Sequence, residues 1–288
     1  MALEERDPYT GKLTTGHDWN GIKELDTPIP RVVLIFLALT TLFAIVWTVL
    51  NPAWPTITSY TKGILGIDQR LSVAESIAAA ATERAVWTER IASEDFATIQ
   101  ADPALMKIVS EAGATLFGDN CAACHGMKAT GGPGFPNLVA APTMWGDDPT
   151  TIAQTIRVGI NSGHPETRFS QMLAFGRDQM LDAASIRSVV TYVQSLSDAS
   201  VVDPDGAGAQ IFADNCAGCH GETGTGIADV GAPNLTDGFW IYGGDAASIR
   251  TSVHYGRQGH MPHWEGRLSE VDRKLLALYV LELRGGKS

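Results

Sequence analysis

Two short motifs carry the reactive residues of this 288-residue chain, whose four cysteines stand as Cys121-Ala-Ala-Cys124-His125 and Cys216-Ala-Gly-Cys219-His220. At Cys-x-x-Cys-His spacing, two thiols can bond to the two vinyl groups of one haem while the adjacent histidine reaches its iron. Two copies predict two covalently bound haem c groups, attached through Cys121 and Cys124 and through Cys216 and Cys219, with His125 and His220 as axial ligands. Zinc would be satisfied by Cys₂His₂ or Cys₄ and would not require a histidine directly after each pair. A thioredoxin-type pair belongs in a strand–helix–strand setting, whereas each pair here closes a short helix in an all-α pattern.

An iron that only carries electrons needs a sixth ligand, and methionine raises its potential while leaving no open position. In the second unit Met261 is the only methionine, 45 residues after Cys216, enough chain to reach the opposite haem face. The first unit offers Met106, Met127, Met144, Met172 and Met180. Met106 precedes the motif and Met127 follows His125 too closely to cross a haem. Met172 is preferred to Met144 and Met180 because Met172-x-x-Phe175 mirrors Met261-x-x-Trp264 before the last helix of each unit. His164, His254, His260 and His263 are the rival ligands, with His260 adjacent to Met261 foremost. Pro136 and Pro233 stand where a carbonyl could accept the second N–H of each proximal histidine. Trp145 and Trp240 are candidates for the haem edge, and also for ordinary core packing.

The elements that must position these residues recur. Gly113-Ala-Thr-Leu-Phe-Gly-Asp-Asn ahead of Cys121 returns as Gly208-Ala-Gln-Ile-Phe-Ala-Asp-Asn ahead of Cys216, an offset of 95. Pro136-Asn137-Leu138 returns as Pro233-Asn234-Leu235. Acid-led short helices are predicted over 147–158 and 245–253, and leucine, isoleucine and valine at helical spacing predict a last helix over 181–196 and 268–283. Residues 197–206 read as the linker. The predicted architecture is all-α: an N-terminal segment over 1–31, a transmembrane helix over 32–50, a stalk region over 51–104, and tandem cytochrome c domains over 105–199 and 200–288. Ser72-Val-Ala-Glu75 has the form of a capping box opening a stalk helix to about residue 91, and Asp102-Pro103 opens the next element.

The 19 uncharged residues between Arg31 and Asn51 would extend about 28 Å as a helix, matching a bilayer core. Trp47 and Trp54 lie at interfacial positions, and Pro52 and Pro55 end the helix. Thirty-one largely polar residues precede the span, so it reads as a retained anchor and not a cleaved signal. The lysine and arginine distribution barely orients it. A formal net charge of −11 argues against nucleic acid as a partner and suits a basic one, and the second domain is the more acidic. No serine–histidine–acid set, paired-carboxylate site or phosphate loop stands out.

Directly before the span, His17-Asp-Trp19-Asn-Gly21-Ile22-Lys-Glu24-Leu-Asp-Thr-Pro28-Ile-Pro30 is similar to a signature of the membrane-anchored diheme subunit III of cbb3-type haem–copper cytochrome c oxidases. The resemblance covers nearly the whole chain. It departs at Val32-Val33, where a tryptophan pair is common, and in residues 140–145, which are less acidic than usual. The resemblance implies an electron-transfer subunit, not an enzyme by itself, within a proton-pumping oxidase. Electrons would enter from a cytochrome c donor and pass through both haems towards the haem–copper catalytic subunit, with a monohaem cytochrome c subunit as a further partner. It also implies a bacterial inner membrane location, haem domains periplasmic and residues 1–31 cytoplasmic. The competing readings are a diheme subunit of a periplasmic dehydrogenase, a diheme peroxidase and a gas sensor; the last two need an open coordination position. Methionine ligation within each domain is the default, while a cross to the neighbouring haem stays open.

Overall fold

A computed structural model describes residues 5–139, 144–203 and 206–285, which leaves residues 140–143 and, in the predicted linker, 204–205 outside the described residues. The chain divides into a unit ending at Glu83 and a unit starting at Arg84.

In the first unit, β1 (Thr14–Trp19) and β2 (Ile22–Leu25) form an antiparallel hairpin. This small sheet is an addition to the helical reading. Its turn, Asn20-Gly21, has φ of 55° and 91°, the left-handed pair that a tight hairpin turn requires and that this dipeptide tolerates best. Helix α1 (Arg31–Leu50) follows Pro30, whose fixed φ suits a helix entrance. None of its side chains is buried within the unit, and it is the one helix among the described residues long and apolar enough to cross a membrane.

Helix α2 (Gln69–Ser93) starts earlier than the capping box at Ser72 predicts. Asp68 is the residue that caps it, its carboxylate accepting from the Arg70 and Leu71 amides at 2.9 and 3.3 Å. Ser72 lies inside the helix and donates its hydroxyl back to the Asp68 carbonyl at 3.1 Å. A carboxylate one turn upstream reaches the free first-turn amides, so the serine has no open amide left to cap.

The second unit holds α3 (Phe96–Ala101), α4 (Pro103–Asn120), α5 (Ala122–His125), α6 (Pro149–Val158), α7 (Ala183–Ser197), α8 (Ala207–Asn215), α9 (Ala217–His220), α10 (Ala246–Tyr255) and α11 (Glu270–Arg284). Aspartates start most of the longer ones. Asp102, Asp148, Asp182 and Asp245 accept first-turn amides at α4, α6, α7 and α10, and Ser269 with Asp272 forms a reciprocal capping box at α11.

The packing exchanges the last helix of each repeat. Helix α11 lies on α4 and α6, while α7 lies on α8 and α10. One core gathers Phe117, Ile152, Ile156, Trp264, Leu276 and Val280; another gathers Phe175, Ile186, Val189, Phe212, Ile249 and Val253. The crossings are built alike. A Cβ on Gly113 of α4 would sit 2.7 Å from Tyr279 Cβ of α11, and one on Gly208 of α8 would sit 2.7 Å from Tyr192 Cβ of α7. Phe117 and Phe212, one turn on, pack with tilted rings against the same tyrosines at 5.8 and 5.3 Å between centroids. Closure of each sequence half on its own terminal helix, the simple expectation from the repeat, therefore gives way to an insertion. The chain leaves the first core after α6, completes the second between Met172 and α10, and returns with α11. The short link from α7 to α8 favours this, because elements joined by few residues pack as neighbours.

Helix α11 also closes the end of α2. Lys274 Nζ donates to the carbonyls of Ile91, Ala92 and Glu94 at 3.0, 2.9 and 3.1 Å, placing a cation on the negative end of that helix. Lys274→Met should therefore lower the unfolding free energy by about 2 kcal/mol, the scale of charge-assisted hydrogen bonds at a helix terminus, measured by denaturant titration.

Candidate haem sites

The two attachment turns are built identically. Cys121 and Cys216 each end the preceding helix with φ near −117°, and α5 and α9 place His125 and His220 one turn further on. The Cys121 and Cys216 thiols are pushed up to about 11 by burial, reinforced by the neighbouring cysteine. They are protonated at neutral pH. Cys124 and Cys219 are exposed, and no disulfide links the four.

His125 Nδ1 lies 3.2 Å from the Pro136 carbonyl and His220 Nδ1 lies 3.0 Å from that of Pro233. A carbonyl can only accept, so each ring carries its proton on Nδ1 and leaves the Nε2 lone pair free. Burial holds both imidazoles below the ordinary histidine pKa, with the carbonyl bond opposing it, so both are neutral donors at pH 7.

A cavity of about 360 Å³ opens beside His125. Phe117, Cys121, Ile152, Ile156, Met261 and Leu276 are among its lining residues. The residues fit a haem on a further observation. Trp145 Nε1 and Arg168 Nε are the buried side-chain donors among the described residues that have no partner. The Arg168 guanidinium stacks on the Trp145 ring at 5.0 Å, and burial pulls it below its ordinary pKa. An unspent indole donor at an apolar cavity, with a desolvated cation stacked on its ring, suits the carboxylates of haem propionates.

Met261 packs with Cys121 in the first core, and Met172 packs with Cys216 in the second, so each methionine stands with the other repeat's cysteines. The crossing is held by matched backbone pairs. Ile160 and Met261 exchange two hydrogen bonds of 2.9 Å, and Met172 and Arg257 exchange bonds of 2.8 and 3.1 Å. Each methionine strand thereby lies along the residue two past the end of the other repeat's short helix, α6 or α10. Of the other sequence candidates, Met144 also lines the cavity, Met106 packs in a separate core near α2, and Met127 and Met180 are exposed. None of His164, His254, His260 and His263 lines the cavity.

His164 has another task. Its buried ring accepts the Glu166 amide on Nδ1 at 3.0 Å, so Nε2 carries the proton and donates to Glu265 at 2.5 Å. Arg157 donates to the other Glu265 oxygen at 3.1 Å and also pairs with Glu166. Glu265 follows Met261 by four residues, and its amide donates to the Arg157 carbonyl at 3.1 Å. The His164 bond, then Arg157, hold the Glu265 carboxyl below the usual range, so this clasp stabilises above the ordinary carboxylate pKa and fades as pH falls through the lowered one. Glu265→Gln should speed amide exchange at Trp264 and residue 265 by about tenfold at neutral pH while sparing Met172 and Arg177. The clasp has no signal in the sequence, and the crossing, which spacing leaves open, is not decided by it, because their partners lie roughly a hundred residues apart.

Two Cys-x-x-Cys-His turns with carbonyl-oriented histidines in helical cores define a c-type cytochrome, with two cytochrome c domains in tandem behind one apolar helix. Comparison with known proteins narrows the class. Residues 110–197 match cytochrome c, residues 204–280 match cytochrome c oxidase, cbb3-type, subunit III, and residues 11–58 match the N-terminal domain of cytochrome oxidase-cbb3, FixP. The chain is 47% identical over 285 residues to the cbb3-type cytochrome c oxidase subunit FixP of Bradyrhizobium sp. (strain ORS 278), covering 98% of both. It is 45% identical over 279 residues to the subunit CcoP of Cereibacter sphaeroides, covering 95% of both. This chain belongs to the family of cbb3-type cytochrome c oxidase subunits FixP and CcoP.

Proposed function

We propose that this subunit takes electrons from a cytochrome c donor and passes them through two haems c towards the haem–copper catalytic subunit of its oxidase. Dioxygen reduction then takes place elsewhere in the complex. Bound haem would supply the one-electron chemistry. Cys121, Cys124, Cys216 and Cys219 would attach it, and His125, His220 and a methionine for each would hold its iron. His125 pairs with Met261, and His220 with Met172. Met261 is preferred to Met144 because the two methionine strands are related by the same backbone pairing. The haem domains lie on the periplasmic side of the inner membrane, residues 1–31 on the cytoplasmic side, and α1 is the single anchor.

The observation that carries the reading is that the cavity of the first site is walled by the loop that orients the histidine of the second. Beside Cys121 and His125 it is lined by Thr225, Ile227, Pro233 and Asn234, from the loop whose Pro233 carbonyl orients His220. That loop places the proximal side of one site against the other, as a short electron path requires.

The test is to extract the chain from its native membrane in mild detergent and record the reduced-minus-oxidised spectrum of what accompanies it. Bands of b-type and c-type haem, with oxygen uptake on supply of a reduced cytochrome c, are expected. Only c-type bands, with a dehydrogenase and no oxygen uptake, would overturn the oxidase reading.

A further inference from the structure

One side chain touches the strands of both methionines. Asn161 lies in the loop after α6 with φ of 49°, a left-handed conformation that asparagine adopts more readily than most residues. Its Nδ2 donates to the Ser170 carbonyl at 2.8 Å and to the Gly259 carbonyl at 2.7 Å, while its Oδ1 accepts the Ser170 amide at 3.1 Å. Ser170 precedes Met172 by two residues, and Gly259 precedes Met261 by two. The amide's orientation follows from its partners: a flipped group would set its oxygen against two carbonyl oxygens. The backbone of the same residue joins in, its N–H donating to Arg168 O at 2.8 Å and its carbonyl lying 3.0 Å from His260 Nδ1.

We propose that Asn161 is a shared positioning residue that couples the two haems, its one carboxamide holding the strands that deliver Met172 and Met261 so that release of either methionine loosens the other. The proposal rests on the His125/Met261 and His220/Met172 reading above. Glu265 differs in kind, since its clasp acts on the Met261 strand.

The experiment uses the full haem-loaded chain in detergent and imidazole as the probe. Imidazole displaces methionine from iron, removing the methionine-to-iron charge-transfer band and lowering the midpoint potential of the haem it binds. Asn161→Ala removes all three side-chain bonds, and Asn161→Asp keeps the shape but sets a carboxylate oxygen against the two carbonyls. Both variants should raise imidazole affinity about tenfold at both haems, the scale set by one or two lost hydrogen bonds, and shift both redox waves in parallel. Ser162→Ala serves as the comparison, because the Ser162 hydroxyl bonds to Val158, Thr167 and the His164 amide but to neither Ser170 nor Gly259, and should leave both haems as they are. A change at one haem alone, at neither, or to the same extent in Ser162→Ala would overturn the coupling. An unmodified chain without a methionine band overturns the ligand reading and the coupling with it, whereas a normal parent band with an uncoupled variant overturns the coupling alone.

Discussion

Met261→His should lower the midpoint potential of one haem by roughly 0.1–0.3 V, part of the ~0.8 V range over which axial ligands set haem potentials. The haem affected should be the one on Cys121 and Cys124, although Met261 lies 42 residues downstream of Cys219 in the same sequence repeat. Met172→His should do the same to the haem on Cys216 and Cys219. Histidine replaces a neutral thioether with a stronger electron donor and stabilises the oxidised iron, so the direction follows from the ligand alone. The assignment follows from the packing of Met261 with Cys121 and of Met172 with Cys216. Potentiometric titration reads both effects, and each variant should move one wave and leave the other in place.

A second large effect is expected at Gly159 and Gly256, the residues that end α6 and α10 with φ of 69° and 71°. A Cβ on Gly159 would lie 2.4 Å from the Met261 carbonyl oxygen and 2.7 Å from the His263 nitrogen. One on Gly256 would lie 2.4 Å from the Met172 carbonyl oxygen and 3.0 Å from the Ala174 nitrogen. The obstacles are backbone atoms of the crossing strands and cannot rotate away. Strain at positive φ adds about 1 kcal/mol and overpacking about 1–3 kcal/mol, so Gly159→Ala or Gly256→Ala should cost about 2–4 kcal/mol and weaken the methionine bond it abuts. Gly238, where an added Cβ meets nothing within 4 Å, should accept alanine with little change. Denaturant midpoints and the intensity of the methionine band check all three.

The attachment sites were legible because their chemistry is local. Cys-x-x-Cys-His needs one helical turn, and the 95-residue offset doubles the signal. Two helix starts were legible for the same reason: Asp102 and Asp245 stand directly before residues with helical spacing and reach amides two or three positions on, whereas the helix expected from Asp147 is capped one residue later, by Asp148. Ser72 misled because Asp68, four residues upstream, could cap the same stretch, and the pattern alone does not choose between them. The hairpin at Asn20-Gly21 carried a clear turn signal inside a segment read only as a family signature.

The methionine crossing has no local signal. Met172-x-x-Phe175 and Met261-x-x-Trp264 look the same whether each strand serves its own repeat or the other, since both arrangements bury the same aromatic beside a helix of the same type. What distinguishes them is contact over long separations, such as Gly113 with Tyr279 and Asn161 with Gly259. The unpartnered Trp145 donor at the cavity, with Arg168 stacked on its ring, is likewise visible only in the fold.

The most direct test of the account is a chain that carries one haem. With Cys216 and Cys219 replaced by serine, the remaining haem on Cys121 and Cys124 should keep its methionine-to-iron charge-transfer band when Met172 or Met144 is changed to alanine, and lose it when Met261 is. A band that survives Met261→Ala and disappears with Met172→Ala would show that each repeat ligates its own haem, and would contradict the exchanged architecture on which the paired sites rest.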